Sequence, residues 1–293
     1  MTEEREHRID SRSGWGESIV CEQMSDLLDD CQVAISEGRR FATMSSSWTG
    51  RSVDGIEDAM SMVWDSQASD LAKVDAWRQS LAPQLRGLIP DMKQQMVWSE
   101  TRGSQIDVHR LIDGEAKFRR GRKKTPVDNR IVSLVIDVGM LGGFSAEMGF
   151  MRTAAALSIA ELLEEQDIMV ETWGISRSEY CYPNKGRMDS GKGYEGCWKV
   201  KAADSPLNLS AVCAGTSAWF FRTCVFQQRH KHRKPTSGMG MTIRGTDEDA
   251  QRMTKNEQAV CFAVNMTNNR DRMTENCLKE TERIVTMLTG GGA

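Results

Sequence analysis

Asp137 ends an apolar run, IVSLVI, and is separated by Val138 alone from a glycine turn, GMLGGF. A carboxylate at the carboxyl end of a buried strand has two chemistries open to it. It can ligate a hard cation, or it can accept hydrogen bonds from the backbone amides of the turn that follows. Gly139, Gly142 and Gly143 let that backbone come close, and Ser145 and Glu147 offer further oxygens where the next helix starts. Ser145 is the expected cap of this helix, whose positive end faces the same crevice. These six residues form the expected ligand or partner face. A hard cation takes about six oxygen ligands, so Asp137 supplemented by Ser145 and Glu147 makes a poor site, and the expectation is no cofactor, with magnesium as the alternative. The turn is also no phosphate loop. It lacks the terminal Gly-Lys-Ser/Thr, and its glycines miss the G-x-G-x-x-G offsets, so they are read as permitting positive φ in a tight strand-to-helix turn.

Two basic runs could meet phosphates. Arg119, Arg120, Arg122, Lys123 and Lys124 form one, and Arg229, His230, Lys231, His232, Arg233 and Lys234 form the other. Together they would make a nucleic-acid patch if the fold brought them to one surface, although only Phe118 supplies an interleaved aromatic ring. The competing reading is two solvated loops on a chain whose net charge is −3 and whose pI is near 5.9. His230 and His232 stand two residues apart with no cysteine pair nearby, a weak metal signal. G-x-S-x-G is absent, so no nucleophile is named. The eight cysteines form no C-x-x-C pair, and several sit in apolar segments where a thiol acts as a small hydrophobe. Cys181 and Cys197 flank a glycine-rich excursion and could oxidise together only if the fold allows it.

The elements that must position Asp137 are legible between residues 130 and 176. An apolar run, a glycine turn, a Ser-started helical segment and a second apolar run (IMVETWGIS) make a βαβ unit. Two strands apolar along their length imply a parallel sheet covered on both faces. After it come an exposed excursion at YCYPNKGRMDSGKGYEGC, a strand at WKVKAA, a helical stretch through LNLSAVCAGTSAWFFRTCVFQQ, a strand at QAVCFAVN and a last helix over 271–288. Upstream, a helix is expected over 17–36, a short one after Asp54, and another ending or turning at Pro83. A hairpin or edge strand follows near Gln95, and the basic segment EAKFRRGRKKTPVDN looks like a junction. Trp15, Trp48, Trp64, Trp77 and Trp98 all precede the core strand and could glue a helical lobe to it. The expected division is a tail and helical lobe over 1–94 and an α/β domain over 95–293. At 293 residues, 39% hydrophobic and 27% charged, the chain has the makeup of a soluble globular protein. No apolar run approaches the roughly 20 residues of a membrane span, and the charged opening MTEEREHRIDSRSG lacks a secretory core, so a cytoplasmic setting with reduced thiols is expected.

The pattern IDVGMLGGFSAEMGFMRTAAALSIAELLEEQDIMVETWGIS resembles the opening βαβ unit of a von Willebrand factor A-type domain. More narrowly, SSWTGRSVDGIEDAMSMVW, IDVHRLIDGE, MRTAAALSIAELLEEQDIMVETW and DSPLNLSAVCAGTSAWFFR are similar to segments of an uncharacterised family of such domains in bacteria and their phages. The resemblance implies a Rossmann-like, mostly parallel sheet flanked by helices, with the N-terminal helical lobe beside it. It also implies a D-x-S-x-S cation motif, of which only the aspartate is present here: Gly139 and Leu141 occupy the serine positions. The function expected is a non-enzymatic protein-binding or assembly module, with a phage origin as one source the resemblance implies. The alternatives are a nucleic-acid-associated protein using the basic runs, or a metal-dependent enzyme built on Asp137, Ser145 and Glu147.

Overall fold

The computed structural model describes residues 17–37, 46–64, 68–88, 96–99, 105–106, 112, 119–122, 131–165, 168–181, 188–232 and 241–290. Its centre is the expected unit. β5 (Ile131–Asp137) is buried at every position but the first, and it pairs in parallel with β6 (Met169–Cys181) through the intervening helix α5 (Ala146–Glu164). Alternation splits the strand between two cores. Val132, Leu134 and Ile136 face the larger one, and Val135 faces a smaller one with Trp173, Ile175 and Cys261. α5 shows no single apolar stripe because it is buried on nearly every side, packed against β5, β6 and the helices over Ala68–Leu88 and Arg270–Gly290.

Six strands make the main sheet, in the order β1-β7-β6-β5-β9, with β8 pairing the far end of β6. β1 (Glu17–Cys21) lies parallel to β7 (Met188–Lys201), β7 antiparallel to β6, β9 (Val260–Phe262) parallel to β5, and β8 (Met241–Ile243) antiparallel to β6. The sheet is mostly parallel and flanked by helices. Three-stranded β2-β4-β3 forms a separate antiparallel sheet from Met96–Ser99, Arg119–Arg122 and Gln105–Ile106.

Helices α1 (Met24–Ser36), α2 (Ser46–Thr49), α3 (Ile56–Trp64) and α4 (Ala68–Leu88) precede the small sheet. After β7 come α6 (Leu209–Gly215), then α7 (Ala218–Phe220), a π-turn (Phe221–Val225) and α8 (Phe226–His232). α9 (Asp247–Thr254) and α10 (Arg270–Gly290) complete the chain.

Several expectations are corrected. The first five residues of the expected 17–36 helix are strand β1, because the β-branched run in ESIVC finds β7 to pair with, and the helix waits until Met24, where Asp26 accepts the Gln23 N–H at 3.0 Å. α4 continues through Pro83 to Leu88. The glycine-rich excursion is mostly strand: β7 begins at Met188, and only 182–187 lie outside the described residues. Gly174 permits this pairing, since a Cβ there would lie 2.5 Å from the ring of Trp198, its register partner. The basic segment taken as a junction contains the central strand of the small sheet, and α9 was not anticipated at all. The larger core joins Ile19, Leu27, Val74 and Leu81 from the N-terminal part to α5 and α10 residues, so the helices before β5 share the main core.

Of the early tryptophans, Trp77 is buried, with the Arg270 guanidinium 4.2 Å above its ring; Trp15 and the side chains of Trp48, Trp64 and Trp98 lie outside the described residues. Among the described residues Trp173, Trp198 and Trp219, all after the core strand, are the fully buried tryptophans. Among the described residues no single helix is long and apolar enough to cross a membrane, and the one bent apolar pair, Leu209–Gly215 with Ala218–Arg229, is buried in the fold.

Candidate functional site: the strand-end turn and the β9 cleft

β5 delivers Asp137 to the carboxyl edge of the sheet, where its two oxygens are shared between two chain segments. Oδ1 accepts the Gly139 N–H at 2.9 Å, and Oδ2 accepts the Gly245 N–H at 2.9 Å, from the residue two beyond β8. The carboxylate thus ties the turn after β5 to the segment entering α9. Gly139 serves this closure by its lack of a side chain: an added Cβ would stand 2.2 Å from Thr242 Cγ2 and 3.0 Å from Asp137 Oδ1. Its backbone is not left-handed, so the expected reason for glycine here, positive φ, is replaced by close approach.

Two buried arginines hold the turn from below. Arg152, from the middle of α5, donates to the carbonyls of Gly139 and Thr216 at 3.3 Å each. Arg222, in the π-turn, donates to the carbonyls of Leu141 at 3.0 Å and Phe144 at 2.9 Å. A π-turn inside a helix commonly marks a functional position, and here it carries the arginine that pins the turn. At the outer side, Asn268 accepts the Ser145 N–H at 3.0 Å and donates to the Gly143 carbonyl at 2.8 Å. The turn is therefore fixed at six backbone groups, while Leu141 stands 48% exposed at its tip.

Burial moves the charges of this site. Burial pushes the Asp137 carboxyl above its ordinary range, against the opposing pull of the Gly245 and Gly139 amides and of Arg152. Burial likewise lowers the Arg152 guanidinium to about 10, with Asp137 resisting, and the Arg222 guanidinium to about 10, with Arg152 adding to the fall.

The residues do not fit the divalent cation that the von Willebrand factor A resemblance implies. Asp137 is buried with both oxygens engaged by amides, whereas Ser145 and Glu147 are exposed. Gly139 and Leu141 bring no side-chain oxygen, and among the described residues no three His, Cys, Asp or Glu side chains come together as a ligand set. Asp137 works as a structural tie.

A second feature lies alongside. β9 is an edge strand, and its unpaired backbone groups are met by side chains. The Cys261 N–H donates to Asp247 Oδ1 at 2.7 Å, Arg283 Nη2 donates to the Cys261 carbonyl at 2.7 Å, and the Ala263 N–H donates to Glu280 Oε1 at 3.3 Å. Arg283 also grips Asp247 at 2.6 and 3.2 Å and Glu280 Oε1 at 3.0 and 3.1 Å. A cleft of about 340 Å³ opens over these residues and Arg244. Sequence reasoning passed over all four charged groups. The available signals were the G-T-D-E-D capping box that opens α9 and the i, i+3 spacing of Glu280 and Arg283 on α10.

Of the two basic runs, Arg229 is the member whose side chain is described, and it does not join an exposed patch. Arg229 is buried on α8, with the rings of Tyr194, Phe221 and Phe226 around its guanidinium at 4.8, 5.5 and 5.5 Å and Ser176 Oγ accepting a hydrogen bond from it. His230, Lys231 and His232 end the same helix, and Arg233 and Lys234 lie outside the described residues. Arg119, Arg120 and Arg122 are on the central strand of the small sheet, where the register sets Trp98 against Arg120; Phe118, Lys123 and Lys124 lie outside the described residues. Cys181 and Cys197 do not meet across the hairpin. Cys181 pairs with Met188 and Cys197 with Ile175, which along one strand separates their positions by about 20 Å. Cys197 is a free, buried thiol.

Fold and site together define an α/β domain with a clamped strand-end turn. The chain belongs to the family described as Domain of unknown function (DUF7192), whose model matches residues 17–289. No curated protein and no solved structure matches it.

Proposed function

We propose that this chain is a non-enzymatic protein-binding or assembly module of von Willebrand factor A-like architecture, acting in the cytoplasm, with the turn over 140–145 as its contact surface. The bacterial and phage setting belongs to the same reading and follows from the sequence resemblance. One observation carries the proposal: Leu141 is exposed on a turn whose backbone is held by Arg152, Arg222, Asn268 and Asp137. A single exposed leucine is ordinary on a protein surface. One on a backbone anchored at both ends has already lost most of the freedom that binding would otherwise cost. The flanking Gly142 and Gly143 are exposed too and leave the leucine accessible.

The test places a photo-crosslinking residue at position 141 in the native host and identifies what it captures, a second copy of the chain included. The purified pair is then titrated with wild type and with Leu141→Arg. We expect a specific protein at that position and a loss of affinity of about 30-fold or more, the scale of an interface hot spot, with melting temperature unchanged because the side chain is exposed. Capture of nothing above background, or equal affinity of Leu141→Arg, rejects the proposal.

A further inference from the structure

The cleft over β9 meets the strand-end site only at Gly245, and it carries charged groups that the turn does not use. It lies at the carboxyl side of the sheet, beside the point where the chain reverses direction across it: β5 leads to β6 on one side and is joined by β9 on the other. Open α/β sheets place ligands in the crevice outside such points. Its volume of about 340 Å³ falls at the small end of ligand sites.

Four charged side chains line it, two of each sign, and they are not held equally. Arg283 is fixed by Asp247, Glu280 and the Cys261 carbonyl at 2.6 to 3.2 Å. Glu280 Oε1 is fully engaged by Arg283 and the Ala263 N–H. Arg244 is different. Its side chain is 49% exposed, and its two contacts, to Asn265 Oδ1 and Glu280 Oε2, are both 3.3 Å. Glu280 is 9% exposed and held through Oε1, so at that distance it is the half-exposed Arg244 that is the loosely held member of the pair. When the pair opens, the guanidinium is left with donors for a ligand in the cleft it lines, and Glu280, which lines the same cleft, is kept in place through Oε1.

We propose that the cleft binds a free α-amino acid, or a zwitterion of the same size, inserted between Arg244 and Glu280. The ligand carboxylate takes the Arg244 fork, and the ammonium donates to Glu280 Oε2. Such a ligand replaces one weak ion pair by two and leaves the balanced cleft neutral. A dicarboxylate would set a negative group against Glu280, and a diamine would set a positive one against Arg244, so both signs on one small molecule are the matching chemistry.

The experiment titrates the full chain with each of the common amino acids by calorimetry and thermal shift. The strongest binder is then compared with its N-acetyl and carboxamide derivatives, each of which lacks one of the two charges. At least one free amino acid should bind and raise the melting temperature, both derivatives should bind at least about tenfold more weakly, and Arg244→Ala should lose at least about tenfold in affinity while Arg244→Lys recovers part of it. Arg244 is exposed enough for these variants to fold, which the melting curve without ligand verifies. Binding of no amino acid overturns the proposal, as does equal binding of either derivative or equal binding by Arg244→Ala. The outcome is separate from that for the partner surface, because Leu141→Arg leaves the cleft intact.

Discussion

Asp137 and Gly139 are the residues on which the strand-end turn depends, for different reasons. The Asp137 carboxyl titrates above its ordinary value of 3.8 because burial disfavours its charge, so the native fold holds that proton more tightly than the unfolded chain does. Its contribution to stability is complete below the ordinary value and is lost as pH rises through the raised native one. Urea unfolding across pH should therefore show wild-type stability falling through that window relative to Asp137→Asn; parallel curves would disprove the assignment. Gly139→Ala drives a Cβ into Thr242 Cγ2 and should cost about 1–3 kcal/mol. Thr242→Ser removes that methyl and should restore part of the loss, whereas a double variant no more stable than Gly139→Ala would show that the clash is not the cause. Asp137 was marked in the sequence as a strand-end carboxylate because its neighbours declare the strand. Its second partner, Gly245, lies 108 residues away and leaves no trace in the local pattern.

At the scale of elements, the short edge strand β9 is closed by an acceptor, a donor and an acceptor drawn from α9 and α10. Asp247, Arg283 and Glu280 occupy the positions at which another strand would pair. Exposed strand edges invite pairing with other chains, and charged groups placed on them discourage it. Arg283→Met should lower stability by about 1–3 kcal/mol, toward the lower end because the side chain is 37% exposed. It should also speed hydrogen exchange at the Cys261 and Ala263 amides and raise the apparent mass in light scattering as concentration increases. Unchanged exchange at both amides would refute the edge-closing role. The βαβ element itself was legible because its signal is local: apolar runs of strand length bracket a helix-length segment. The π-turn, the start of β1 and the strand character of 188–197 were not, since each depends on a partner that the local sequence does not contain.

For the whole molecule, a body organised around the parallel pair β5 and β6 presents Asp137 at its carboxyl edge, and the engagement of Asp137 by two amides bears on what that edge can hold. A cation bound there would stabilise the native state by mass action, by about 2.7 kcal/mol at a hundredfold excess over its dissociation constant. We expect the same melting temperature in excess magnesium and in excess chelator. A rise with magnesium that Asp137→Asn abolishes would return the cation reading.

Neighbouring residues are enough to read the central strand, its glycine turn, the helix behind it and the place of Asp137 at the strand end, because hydrophobic period and turn chemistry are local. It took the assembled fold to show that residues 17–21 form a sheet edge, that Arg152, Arg222 and Arg229 are interior, and that Arg244, Asp247, Glu280 and Arg283 share one cleft. An arginine reads as solvated until carbonyls, carboxylates or rings from distant segments are shown to receive it, and those partners are fixed by strand order and helix packing across the whole chain.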